Sequence, residues 1–399
     1  MKDVLIASFD MEIGGVERSL ISMLDSFDYK NNNVDLMLYS HTGDFMNLIN
    51  KKVNLISENK KYSTFRKSIG EIFKEGQVAL GISRLMAKRN CNKIASKYNL
   101  KESSYVQMQL MWKYSIKYLP KLQKQYDMAI SYLWPHYFVA EKVKAKIKVA
   151  WIHTDYSKLD TDIELDLEMW DKYDYIFAVS EECKNSFLSK YPSLLNKVNV
   201  LENITAVDFI EKMANKEVKD FNTKKNEFNL LSVARFSPAK GIDNAVKALK
   251  VLHNRGLTNI KWNVVGYGGD EENIRKLIKD NNLEDSFILL GKKTNPYPYM
   301  KKCDLYVQPS RYEGKAVTVV EAQILNKPVL ITNYPTAKSQ VKENYDGVIC
   351  ELSVEGIADG VENLFKNRDI LISLEENCKK CNYSNKNELN KLYEIMGEQ

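Results

Sequence analysis

The sequence predicts an α/β protein of two parallel-sheet domains facing across a cleft, and three observations carry that expectation. Short β-rich runs alternate with amphipathic helical segments from end to end, the pattern of parallel strands joined by covering helices. A chain of 399 residues, 44% of them hydrophobic, is long enough to bury two cores of ordinary size. The polar stretch EKMANKEVKDFNTKKNEF, residues 211–228, lacks a strand pattern and parts the β-rich runs into two groups.

The first group reads VLIAS, VDLMLYS, VNLIS, DMAISYL, KVAWIHT, YIFAVS and KVNVLEN; the second reads NLLSVARF, KWNVVG, FILLG, LYVQPS, PVLIT and GVIC. The expected boundaries are 1–205 for a first Rossmann-like domain, 206–382 for a second, and 383–399 for a C-terminal helix returning to the first. In such sheets ligands bind where strand C-termini meet helix N-termini. The start MKDVLIASFDMEIGG is a polar-flanked strand followed by a glycine turn, which is neither a signal peptide nor a membrane span, so a cytoplasmic protein is expected. Six scattered cysteines include one Cys-x-x-Cys, Cys378 and Cys381, with no second pair or nearby histidine to complete a zinc site. Reduced thiols and no metal are expected there.

The formal net charge of +6 hides an asymmetry, because residues 60–150 hold 19 Lys and Arg against 5 Asp and Glu. Three readings of this stretch stay open: a solvated helical face, a membrane-surface patch and a nucleic-acid patch. Nucleic acid ranks last, since the basic residues alternate with aliphatics at helical spacing and no nucleic-acid motif accompanies them.

Four motifs carry the chemistry. After the first strand, Gly14 and Gly15 precede a helix with Val16, Leu20, Met23, Leu24 and Phe27 on one face, so a phosphate or sugar can approach the backbone there; a plain βα turn is the alternative. After NLLSVARF, Arg235 and Lys240 occupy a loop before a helix, a planar fork and a point charge suited to a diphosphate, although surface Arg and Lys are common. Gly266, Gly268 and Gly269 in VGYGG are expected to bring backbone near a ligand in the same way. In SRYEGKAVTVVEAQILNKPVLIT, helical residues are expected from near Ala316, leaving the N–H groups of Lys315, Ala316, Val317 and Thr318 free for an anion. Glu313 stands before that turn and Glu321 one turn inside, placed to take sugar hydroxyls on either side of a phosphate. The competing reading has Glu313 capping the helix and Glu321 paired with a lysine.

These residues together resemble a retaining glycosyltransferase of the GT-B fold, GT4-type, from bacterial glycan assembly. The resemblance rests on GGVERSL at 14–20, WIHTDY at 151–156, VARFSPAKG at 233–241, VGYGG at 265–269 and PSRYEGKAVTVVEAQILNKPV at 309–329, and spans nearly the full length. It implies an acceptor-binding first domain and a nucleotide-sugar-binding second domain. It implies further that Arg235 and Lys240 hold the donor diphosphate, Glu313 contacts the sugar hydroxyls, Glu321 binds the ribose and Gly15 faces the diphosphate or sugar. His153, at the end of KVAWIHT, is implied to hydrogen-bond the sugar or acceptor. One departure is that Gly314 is followed by Lys315 and Ala316 where many relatives have Phe and then Gly or Pro, which puts the sugar specificity of this turn in doubt.

The implied reaction moves a hexosyl unit from a nucleotide sugar, UDP-linked by preference, to a glycan or lipid-linked acceptor for cell-surface polysaccharide, without a metal or other cofactor. Asp160-Thr161-Asp162 is read as a chance Asp-x-Asp rather than a metal site. The basic region suggests an anionic membrane surface as a further partner, hence a peripheral place on the inner face of the plasma membrane. The rival readings are a sugar-nucleotide epimerase of similar fold and a catalytically idle scaffold.

Overall fold

The computed structural model describes every residue except 101–102, 222–223, 225, 314 and 398–399. Two compact units result, Met1–Ile204 with Asn385–Gln399, and Thr205–Ser384.

The first unit holds seven strands: β1 (Lys2–Ser8), β2 (Asn32–Leu38), β3 (Asn54–Leu55), β4 (Gln125–Ser131), β5 (Lys144–Ile152), β6 (Tyr175–Ala178) and β7 (Val198–Val200). They form a parallel sheet in the order β3-β2-β1-β4-β5-β6-β7. The second unit holds β8 (Phe228–Val233), β9 (Ile260–Val265), β10 (Phe287–Gly291), β11 (Leu305–Gln308), β12 (Val329–Thr332) and β13 (Val348–Cys350), parallel in the order β10-β9-β8-β11-β12-β13. Each of the thirteen β-rich runs of the sequence contributes one of these strands. Their near-continuous apolar character follows from burial on both faces, as in β8, where all six residues are buried.

In both units the chain runs outward from one strand, then returns to start again beside it. That places β1 next to β4 and β8 next to β11 at the point where strand order reverses, the place where such sheets bind ligands. The helix Ile242–Asn254 shows how the second unit is held: Ile242, Ala245, Val246, Ala248, Leu249 and Leu252 recur at helical spacing and are buried against Trp262 and Val264 of β9 and against Ile357 and Val361. Each large aliphatic so buried contributes about 1.5–3 kcal/mol.

The C-terminal segment is fastened to the first unit. Tyr393 accepts the Asp28 N–H at 2.9 Å and meets the Phe27 ring edge-on at 5.6 Å, while Asn385 donates to the Asn203 carbonyl at 2.9 Å. Among the described residues no helix is long and apolar enough to cross a membrane.

Candidate functional site

In the second unit the loops leaving β8 and β11 are clipped together. Gly241 has φ +65, and a Cβ there would lie 2.0 Å from the Pro309 carbonyl oxygen, so only glycine lets the two loops touch. Arg311 completes the clip. Its N–H donates to the Ala239 carbonyl at 2.8 Å, and its guanidinium donates in a fork to both Asp243 carboxylate oxygens at 2.7 Å. That fork holds the Asp243 carboxyl below the usual carboxylate range.

The clip brings Lys240 and Glu313 together: Lys240 Nζ donates to Glu313 Oε2 at 2.6 Å. The other carboxylate oxygen, Oε1, accepts from Ser310 Oγ at 2.6 Å and from Gln308 Nε2 at 3.0 Å. Gln308 is itself fixed, because its amide oxygen accepts from Tyr306 at 2.8 Å and from Thr318 at 3.2 Å. Glu313 is thus held by side chains and does not cap the helix, which begins at Val317 with no side-chain cap. An ammonium carries three N–H donors, so with one on Glu313 two remain for phosphate oxygens.

The helix Val317–Ile324 starts one residue later than expected, and the N–H of Ala316 is not free, since it donates to Gln340 Oε1 at 3.1 Å. The amides of Val317 and Thr318 belong to the first turn, where no intrahelical acceptor exists. Lys315 is half-buried and engaged with another group, so it is not a free cation at this turn. Gly314 lies outside the described residues. Glu321, 1% exposed, accepts from the Tyr297 hydroxyl at 2.9 Å. Arg235 is exposed, with its guanidinium 5.9 Å from the Tyr267 ring centroid and no carboxylate partner among the described residues.

Gly266 and Gly268 lie against the protein's own backbone. A Cβ at Gly266 would lie 1.9 Å from the Ala234 carbonyl oxygen, and one at Gly268, where φ is +156, would lie 2.3 Å from that of Phe236. The space at both positions is filled by the loop that carries Arg235, so these glycines admit the protein's own backbone. Gly269, by contrast, has open space in the Cβ direction.

In the first unit Gly14 is the extended N-cap of the helix Gly15–Ser26, and Gly15 faces open space where a Cβ would project. Ser19 on that helix shares a 2.7 Å hydrogen bond with the Tyr132 hydroxyl, and the Tyr132 ring lies 4.8 Å from that of His153. The ends of β1, β4 and β5 thus gather the glycine turn, Tyr132 and His153. Burial pushes the His153 pKa down to about 4, against a smaller opposing pull from the Tyr132 backbone, and neither ring nitrogen makes a well-formed hydrogen bond. The imidazole is neutral at pH 7, with one donor and one acceptor to offer. Asp162 of the Asp-x-Asp caps the helix Ile163–Trp170, accepting the Leu165 N–H at 3.2 Å.

His136, fully buried beside Ser131, is pushed down to about 3 by burial and then by His153. Both histidines bind fewer protons folded than unfolded below the ordinary histidine pKa, so stability falls as pH drops from about 6.5 toward 4. Asp166 opposes this: burial raises its pKa to about 6, so protonation there favours the folded state in the same window. The expected loss by pH 4.5 is about 2.5 kcal/mol from His136 alone. Thermal unfolding followed by circular dichroism should show the midpoint falling with pH, and falling more steeply in Asp166→Asn; a midpoint flat from pH 7 to 4.5 contradicts the assignment.

Residues 213–387 match the family model for glycosyl transferases group 1. That segment, most of it in the second unit, is similar to the group 1 glycosyl transferases. Among curated proteins, 180 residues are 29% identical to a Staphylococcus aureus poly(ribitol-phosphate) alpha-N-acetylglucosaminyltransferase, over 45% of this chain and 35% of that one. Another 188 residues are 27% identical to a Campylobacter jejuni N-acetylgalactosamine-N,N'-diacetylbacillosaminyl-diphospho-undecaprenol 4-alpha-N-acetylgalactosaminyltransferase, over 47% of this chain and 49% of that one. The chain spans about half the length of the curated relatives it matches. Among solved structures, Anabaena HepE in complex with UDP and glucose aligns over 100% of both chains with a TM-score of 0.69 at 15% identity. That likeness, with the two parallel sheets, makes the fold GT-B.

Within this site four residues escape sequence reasoning. Gln308 and Ser310 hold Glu313, Arg311 joins the two loops and Tyr297 holds Glu321. Gln308 and Ser310 leave a trace, a polar pair at the end of an apolar strand just before the glutamate. Tyr297 leaves none, standing 24 residues before its partner.

Proposed function

We propose that the protein transfers a hexosyl unit from a UDP-sugar to a hydroxyl of a glycan or lipid-linked sugar, with retention at the anomeric carbon. The observation that carries this reading is Lys240 on Glu313 at 2.6 Å, a cation and an acid side by side where β8 and β11 end. Arg235 and the two spare donors of Lys240 take the diphosphate, with the first-turn amides of Val317 and Thr318 adding positive potential. Glu313 takes sugar hydroxyls, Glu321 takes the ribose, and Gly15 lets a ligand approach the turn after β1. His153, neutral, hydrogen-bonds the sugar or its acceptor. The relatives support the acceptor class through their own names, one acting on a poly(ribitol-phosphate) and the other on a saccharide carried by a lipid diphosphate.

In the reaction the bond from the anomeric carbon to the diphosphate breaks and its electron pair stays on the phosphate oxygen. The acceptor hydroxyl forms the new bond on the same face and gives its proton to that departing oxygen. This chain's residues meet the growing negative charge with fixed cations and amides, which is why we assign no metal to the step.

Incubation with UDP-, GDP- and ADP-sugars and a bacterial membrane extract tests the proposal through released nucleotide, labelled product and its anomeric configuration. Acceptor-dependent release with the donor's configuration kept is expected. Release of free sugar or UDP without an acceptor favours the epimerase, and no turnover of any donor favours the idle scaffold.

Glu321→Ala is expected to weaken UDP binding by about 10–100-fold, the worth of a hydrogen bond to a charged group. Calorimetry with UDP and its 2′-deoxy analogue checks this. A ribose contact predicts that the variant no longer distinguishes the two, whereas a merely structural Glu321 would lower the melting temperature and keep the preference.

A further inference from the structure

One helix of the first unit has a face that nothing in its own fold uses. Val78–Tyr98 buries Leu80, Arg84, Ala87 and Cys91 on one side, with the Arg84 guanidinium 4.2 Å from the Phe65 ring centroid. The opposite side is divided along its length. In the N-terminal half Val78, Ile82, Leu85 and Met86 are 53%, 49%, 49% and 49% exposed, four large apolar side chains at helical spacing. Steps of three and four residues carry that same face on to Arg89, Lys93 and Lys97, all exposed. The helix contains no Asp or Glu.

Beside the apolar half, the segment Ser104–Tyr118 adds Lys113 and Lys117. Together with Val78, Ile82, Ser83 and Met86 they line a groove of 480 Å³, an apolar wall opposite two ammonium groups.

We infer that this face is a docking surface for an anionic phospholipid bilayer, with the apolar N-terminal half of the helix entering the acyl boundary and the cationic half, with Lys113 and Lys117, lying on the headgroups. Charge chooses the occupant. A second copy of the chain would bring an equally basic face against this one, across a stretch with 19 Lys and Arg against 5 acids, and like charges repel. An anionic leaflet supplies both things the face lacks, apolar volume next to negative charge. The division along the helix also sets an attitude: the axis is inclined to the membrane, N-terminal end deeper, rather than lying flat.

Vesicle binding needs no nucleotide sugar, so its outcome is separate from that of the transfer assay. The full chain is sedimented at physiological salt with vesicles of phosphatidylcholine alone or of phosphatidylcholine with phosphatidylglycerol. Binding to the anionic vesicles, and little to the neutral ones, is expected. Ile82→Asp with Leu85→Asp should abolish it, through loss of apolar burial on the order of a hundredfold in partitioning. Lys93→Glu with Lys97→Glu should weaken it on the order of 30-fold or more. All four positions are exposed, so both variants should keep the wild-type melting curve; if either does not, a salt series on the wild type decides, since binding must weaken as salt rises. Failure of the wild type to sediment with anionic vesicles overturns the inference. So does equal binding to both vesicle types, or a salt-insensitive dimer with no vesicle binding, which would give the face to a second copy.

Discussion

Replacing Lys240 by alanine slows sugar transfer about a hundredfold or more and leaves the fold intact, the loss typical when one fixed donor to a developing negative charge is removed. The side chain is suited to that experiment by its position. It lies on the loop after β8, 30% exposed, and its ammonium pairs with Glu313. Truncation removes the point charge assigned to the diphosphate, yet Glu313 keeps Ser310 and Gln308 on its other oxygen and therefore keeps its place. Gly241, Pro309 and Arg311 hold the loop independently of Lys240. Turnover at saturating donor should fall while the melting temperature stays within a few degrees of wild type. Wild-type turnover in this variant removes the diphosphate from Lys240, whatever becomes of the other assignments.

How far the sequence revealed this site differs from residue to residue, and the reason is range. Parallel strands buried on both faces write themselves as apolar runs, so the two sheets were legible, as was the meeting of loop and helix where such sheets bind ligands. Glu313 and Glu321 were legible as a pair because both lie on one short strand-to-helix turn. What holds each of them was not. Tyr297 reaches Glu321 from a helix that precedes β11 in the chain, Lys240 reaches Glu313 across 73 residues, and no local period encodes such contacts. At Gly266 and Gly268 the neighbour on the Cβ side was illegible for a related reason. A glycine reports that something comes close to its backbone, and the Ala234–Phe236 segment that does so here lies about thirty residues earlier. The N–H of Ala316 was counted as free because Gln340, its acceptor, lies 24 residues further along.

Glu313→Gln tests the same pair from the acid's side and should cost about a hundredfold in turnover, the upper range for losing hydrogen bonds to a charged group. The substitution keeps volume and removes charge. Oε1 of Glu313 accepts from Ser310 and Gln308 while Oε2 accepts from Lys240, so all three neighbours donate toward it. A carboxamide has a single acceptor oxygen, and its NH₂ must face a donor on one side or the other. If the NH₂ turns to Lys240, the ammonium is pushed off its position beside residue 313; if it turns inward, Ser310 and Gln308 lose their acceptor. Either way the side chain that meets Lys240 is no longer an acid held from both sides, so a change in the first residue of the pair reaches the second. The double variant Lys240→Ala, Glu313→Gln should therefore be only slightly slower than the worse single variant, because groups that act as a unit are not additive. Single-turnover rates of the four proteins complete the cycle. A double variant slowed by the product of the two single effects would mean that cation and acid act on the donor independently, and their 2.6 Å contact would then be a feature of the donor-free protein alone.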